Sequence, residues 1–145
     1  MKYKQSVILK NVSINAVRKA FSDLSFLKHL IAFQPVKIME WEGTSDGEVA
    51  HMRFWFFGWK NFKVEHCDNF EDENSFSFKD QGLELPFDLN QWVHEHIVVK
   101  RGNNIEIIDK IIFSGNNKIL GFLVYPILIL PIFFRKVLYQ TYSWK

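Results

Sequence analysis

Between Lys118 and Arg135 the chain runs for sixteen residues, Ile119 to Phe134, without a charge. A helix that is apolar nearly all round has to be wrapped by other structure, and this run therefore constrains the fold more than any other feature. It falls short of the roughly 20 residues that a spanning helix needs. It also holds Gly121, Pro126 and Pro131, and each proline removes one helix hydrogen bond. The reading is a core-buried C-terminal helix, with a spanning or an interfacial helix as the alternatives.

What precedes the run supplies the wrapping. Tyr3 to Lys10 alternates as a strand. Asn11 to Asn15 carries helix-start chemistry with Ser13 as N-cap, after which Ala16, Val17, Ala20, Phe21 and Leu24 follow at helical spacing. Phe26 to Phe33 reads as a second short helix, stopped before Pro35. From Val36 the period drops to two. Strands are expected over Val36–Trp41, Glu48–Phe57, Asn61–Phe70, Ser75–Asp80, Gln91–Arg101 and Ile105–Phe113, broken at Gly43–Gly47, Gly58, Glu71–Asn74, Leu85–Asp88 and Gly102–Asn103. The order predicts one α+β domain over residues 1–145, with a curved antiparallel sheet of six or seven strands gripping a long C-terminal helix and two short helices after the first strand.

A chain of 145 residues with one cysteine needs no disulfide to hold a core of this size. The lone Cys67 fits a reducing compartment, and the N-terminus has no apolar run suited to a signal peptide, so a cytoplasmic location is expected. A net charge of +2, with the basic residues spread along the chain, argues against a nucleic-acid partner. The composition is 17% aromatic, with 15 Phe and 5 Trp. Codon bias is one explanation, since the chain has only four Ala. The other is that aromatic side chains line a cavity instead of filling a core.

The last hairpin carries the chemistry. If Gly102 and Asn103 form its two-residue loop, Arg101 faces Asn104, and the register sets Glu95 opposite Lys110 and His96 opposite Asp109. A slip of one residue destroys both matches. One face then carries Trp92, His94, His96, Val98, Ile107, Asp109, Ile111 and Phe113, and is chosen as the inner face; the reverse face holds Val93, Ile97, Val99, Ile108 and Ile112. A His beside an Asp can act as acid or base near neutral pH. Such a pair in a sheet is more often a satisfied polar network, and it can also set the polarity of a ligand site. His94 and His96 point the same way, enough to begin a metal site with His51, His66 or Asp109, but no carboxylate or Cys at diagnostic spacing completes it, and no metal or other cofactor is assigned. No phosphate loop or nucleophile elbow is present in the sequence, and Cys67 alternates onto the face opposite His66.

The run Phe78-Lys-Asp80-Gln81-Gly82, then Pro86-Phe87, then Trp92-Val-His94-Glu-His96, then Asp109 with Phe113, resembles the C-terminal half of bacterial ligand-binding proteins of the START-like, or SRPBCC, superfamily. In that pattern an aromatic-x-Asp-x-Gln segment precedes Gly-Pro-Phe, Trp-x-His-x-His and an Asp in the next strand, and Arg135 resembles a usual basic position in the last helix. Two departures stand out. Three residues interrupt Gly-Pro-Phe between Gly82 and Pro86, and Gly102-Asn-Asn104 replaces the usual Gly-Thr before the last strand.

The resemblance implies a helix-grip fold with a cavity between sheet and C-terminal helix for a lipid, sterol, polyketide or aromatic compound. Its walls would be Trp55, Phe62, Trp92, Phe113, Phe122, Tyr125 and Ile129, with His66, His94, His96 and Asp109 as a polar end. A cyclase- or dehydratase-type enzyme using His96 and Asp109 is the second reading. The third is an interaction module that presents Ile119 to Phe134 to a membrane or partner. Ligand identity and oligomeric state are not legible.

Overall fold

The alternating segments all become strands. The computed structural model describes residues 1–145 and has seven strands: β1 (Lys2–Lys10), β2 (Val36–Trp41), β3 (Val49–Trp55), β4 (Trp59–Glu71), β5 (Ser75–Glu84), β6 (Leu89–Arg101) and β7 (Asn104–Gly115). Three helices complete it: α1 (Ile14–Phe21), α2 (Leu24–Leu30) and α3 (Lys118–Thr141). The strands form one antiparallel sheet in the order β1-β7-β6-β5-β4-β3-β2, so the first strand closes onto the last.

Local chemistry sets the helix starts. Ser13 caps α1 by accepting from the Ala16 N–H at 3.1 Å, as the sequence indicates. Asp23 caps α2, which begins two residues earlier than its apolar spacing suggests. Asn117 accepts from the N–H groups of Ile119 and Leu120 and starts α3. The β6–β7 turn has Gly102 at φ 62°, the positive value that a two-residue hairpin loop demands at its first position. The predicted register follows, with Glu95 paired to Lys110 and His96 to Asp109.

The inner face is the one carrying Trp92, His94, His96, Asp109 and Phe113, each 4% exposed or less. It divides into three zones. Val7, Phe21, Phe26, Phe76, Phe78, Val98, Ile107 and Tyr139 belong to one apolar core, beside α1 and α2. Ala50, Val64, Trp92, Ile111, Phe113, Val124 and Leu128 belong to a second, under the first half of α3. Gln5, His66, His94, His96 and Asp109 form a buried polar belt between them.

The two prolines sit inside α3. The helix packs against β1, β7 and α2, and buries the stripe Gly121, Val124, Leu128, Ile132 and Tyr139 at the three-to-four spacing of one helix face. The expectation of a helix buried all round is corrected here. Ile119, Phe122, Leu123, Leu130, Phe133, Phe134 and Val137 are 45–74% exposed on the opposite face. A single sheet covers one side of a cylinder, and no element of the chain crosses the other. By length and composition α3 is able to cross a membrane, although its inner face, with Tyr139 fully buried, is part of the domain core.

Candidate functional site: a buried His–Asp belt

Alternation along four neighbouring strands brings the belt together. His66 on β4, Asp80 on β5 and His94 on β6 are direct cross-strand partners in one row, and Asp109 on β7 lies opposite His96. From the helical side α3 adds Arg135 and Tyr139, and β1 adds Gln5.

Asp109 is fully buried and is the acceptor at the centre. It takes His94 Nε2–H at 2.8 Å, the Tyr139 hydroxyl at 3.2 Å from both oxygens, and Gln5 Nε2–H at 3.1 Å. Arg135 Nη1 stands 3.7 Å away. Gln5 also donates to the Ile132 carbonyl oxygen at 2.6 Å and so ties β1 to α3. Asp80 is the second carboxylate, with His96 Nε2 at 2.9 Å, His66 Nε2 at 3.2 Å and His94 Nδ1 at 3.7 Å. The His96 ring stacks on Phe78 at 4.5 Å between centroids and lies 3.8 Å from the His94 ring.

The charge states follow from these contacts. Burial by itself raises a carboxyl pKa, yet the hydrogen bond from His94, with His96 and Arg135 close by, holds Asp109 well below the usual carboxylate range. Burial acts the same way on Asp80, and is overcome first by the charge of His96 and by its hydrogen bond. Burial and the neighbouring His96 push His94 down to about 4, so its contact with Asp109 is a hydrogen bond from a neutral ring and not an ion pair. His96 goes the other way, because Asp80 outweighs the cost of burial. Arg135 is raised by Tyr139 and Asp109 against its own burial, and burial first, then Asp109, raises Tyr139. Two carboxylates are thus balanced by Arg135 and His96.

A void of about 50 Å³ adjoins the belt. Phe21, Phe26, Leu27, Leu30, Met52 and Phe78 supply its apolar walls, and His66, Asp80, His96 and Arg135 its polar end. Asp80 Oδ1, His96 Nδ1 and Arg135 Nη1 are buried without a hydrogen-bond partner. The space has room for one or two waters, against the roughly 300–1,000 Å³ of ordinary ligand pockets. A wider depression of about 690 Å³, lined mostly by polar groups such as Arg18, Glu73 and Lys100, shares no residue with the belt.

Of the side chains expected as cavity walls, none borders this void. Trp92 and Phe113 are buried but meet their neighbours: Phe62 stands edge-on to Trp92 at 4.9 Å, and Tyr125 stacks on Phe113 at 5.8 Å. Ile129 is buried in the second core. Trp55, beside the β3–β4 turn, is 49% exposed, and Phe122 is 73% exposed on the outer face of α3. His66 and His96 do border the void, whereas His94 and Asp109 stand behind them. The residues that sequence reasoning did not assign are Asp80, Gln5, Arg135 and Tyr139. Asp80 had a signal, since it alternates with Phe76 and Phe78 onto the inner face.

This architecture is the helix-grip fold of START-like (SRPBCC) domains: an open antiparallel sheet, two short helices after the first strand and a long C-terminal helix. Solved structures agree. Norcoclaurine synthase from Thalictrum flavum superposes with a TM-score of 0.65 at 14% identity, over 95% of this chain and 83% of that one. Major latex-like protein 151 from Panax ginseng gives 0.56 at 18% identity, over 99% of both chains. Protein Ms6760 from Mycobacterium smegmatis gives 0.67 at 10% identity, over 96% of this chain and 88% of that one. At these identities the likeness concerns the fold alone. No protein-family model matches the sequence, and no curated protein does.

Proposed function

We propose that the chain binds a small molecule with an apolar body and a polar head at the void beside the belt. The observation that supports this reading is the void itself, with aromatic and aliphatic walls on one side and the polar side chains of His66, Asp80, His96 and Arg135 on the other. At about 50 Å³ the space takes a guest only if rim side chains such as Leu27, Trp41 and Met52 swing aside. The ligand is expected to be of lipid, sterol, polyketide or aromatic type, held without chemistry. The enzymatic alternative gains nothing from the arrangement, because Asp109 lies behind the void and not in it.

Ala50, 3% exposed, borders the void, and Ala50→Leu fills it. Native mass spectrometry of the purified protein is expected to show a co-purified small molecule, and Ala50→Leu is expected to lose it while still unfolding cooperatively. A wild-type chain with no guest that also fails to take up a fatty acid from micelles would overturn the reading.

The exposed face of α3 favours a second role, contact with an anionic membrane surface. No Asp or Glu follows Asp109 in the chain. Lys118 and Lys136 flank the apolar face, and Lys2 and Lys4 are exposed on β1, against which the helix packs. Apolar side chains ringed by cations suit the headgroup region of such a bilayer. Flotation with phosphatidylglycerol vesicles is expected to carry the protein upward, and Phe122→Glu with Leu123→Glu to abolish this at unchanged Tm. Equal flotation of wild type and variant, or a stable dimer in place of vesicle binding, refutes it.

A further inference from the structure

Three imidazoles converge on one carboxylate, and two of them, His66 and His94, are held from behind by a hydrogen bond. His66 Nδ1 lies 3.0 Å from the Glu48 carbonyl oxygen, an acceptor only, so the ring carries its proton there. A neutral His66 therefore turns the lone pair of Nε2 toward Asp80 Oδ1, 3.2 Å away. His94 donates from Nε2 to Asp109, which leaves the lone pair of Nδ1 facing Asp80 Oδ2 at 3.7 Å. His96 presents Nε2 to Asp80 Oδ2 at 2.9 Å, with Nδ1 turned to Asp109 at 3.5 Å. Lone pairs aimed at carboxylate oxygens repel unless a proton or a cation lies between them.

This is the arrangement of metal-binding histidines, in which one ring nitrogen ligates while the other is fixed by a carbonyl or carboxylate. The spacing fits as well. Two ligand atoms each about 2.0–2.1 Å from a tetrahedral ion stand about 3.3 Å apart, and His96 and His94 stand 2.9 and 3.7 Å from the same Asp80 oxygen. Donor atoms of Asp80, His94 and His96 all lie within 4.8 Å of one another. His66 reaches the other Asp80 oxygen from the adjacent strand, as its direct cross-strand partner.

We propose that Asp80, His94 and His96, with His66 as fourth donor, form a binding site for a divalent first-row transition ion of the zinc type. Imidazole with a single carboxylate suits such ions and not the harder calcium or magnesium. The void borders His66, Asp80 and His96 and provides the way in. Asp109 holds His94 in the ligating orientation without itself facing the ion. The site stands whether or not the void takes an organic guest.

Chelator-stripped full-length protein titrated with zinc chloride tests this directly. One equivalent is expected to bind, with a Tm that rises with zinc concentration, and cobalt(II) is expected to give the visible band of a tetrahedral site. Asp80→Asn and His66→Gln should each weaken zinc binding at least tenfold. If either variant fails to fold, nitrogen-15 spectra of the wild-type imidazoles decide the matter. Zinc is then expected to shift His66 Nε2, His94 Nδ1 and His96 Nε2 and to leave His29 and His51 unchanged. No uptake by the wild type, binding that both variants retain in full, or shifts confined to His29 and His51 overturns the proposal.

Discussion

Replacing Asp109 with alanine is expected to cost about 3–5 kcal/mol of stability, the range for removing one partner from a buried ionic group. The carboxylate is fully buried and accepts from His94, Tyr139 and Gln5 at 2.8–3.2 Å, with Arg135 beside it. Its loss strands three donors and leaves the Arg135 guanidinium without the carboxylate beside it, with Asp80 as the remaining anion. For a chain of this length each kcal/mol lowers Tm by about 2–4 °C, so a fall of about 6–20 °C is expected in a thermal scan. Asp109→Asn keeps one acceptor oxygen for Tyr139 and Gln5 and should fall between wild type and Asp109→Ala. A loss below 1 kcal/mol for the alanine variant contradicts the central role of this carboxylate.

Phe113→Ala is expected to cost as much, about 3–5 kcal/mol, for a different reason. The ring is 1% exposed between Trp92 at 5.9 Å and Tyr125 at 5.8 Å, and truncation leaves a hole that the sheet cannot close. Phe122→Ala, nine residues on and 73% exposed, is expected to stay within about 0.5 kcal/mol of wild type. Urea unfolding measures both: the midpoint should drop for Phe113→Ala at an unchanged slope and stay put for Phe122→Ala. Equal effects at the two positions would mean that α3 is seated in another rotation.

Those two phenylalanines also mark where the sequence stopped being informative. The hairpin register was legible because Glu95 and Lys110 match across it and Gly102 fixes the loop, so the placement of Trp92, His96, Asp109 and Phe113 on one face followed. The same register made His96 the partner of Asp109. In the structure the short bond comes from His94, because the His96 ring is turned toward Asp80 on the next strand. That turn depends on the β5–β6 register, set by the irregular connection Leu85–Asp88, in which Phe87 and Asp88 both have positive φ. No alternation pattern fixes such a connection.

The rotation of α3 was beyond reach for a related cause. A helix apolar on every side carries no stripe to show which face turns inward, so Phe122 and Val124 look alike in sequence and differ by 73% against 3% in exposure. Arg135 and Tyr139 could be placed in the belt only once that rotation was known. The aromatic excess, too, divides between packed rings, void walls and the open face of the helix.

The polar belt has a consequence for the order in which the protein can be made. Its two carboxylates and three histidines lie on β4 to β7, while Arg135 and Tyr139 belong to the final helix. β1, made before the other six strands, finds its partner only when β7 emerges, since Lys2 pairs with Ile112, 110 positions along the chain. Such long-range closure is slow. A nascent chain that has completed its sheet therefore still holds Asp109 without its guanidinium and phenol, and has no means of drying the belt. Commitment to the folded state waits for the last turns of α3, and a chain cut before residue 135 is expected to remain a target for chaperones and proteases.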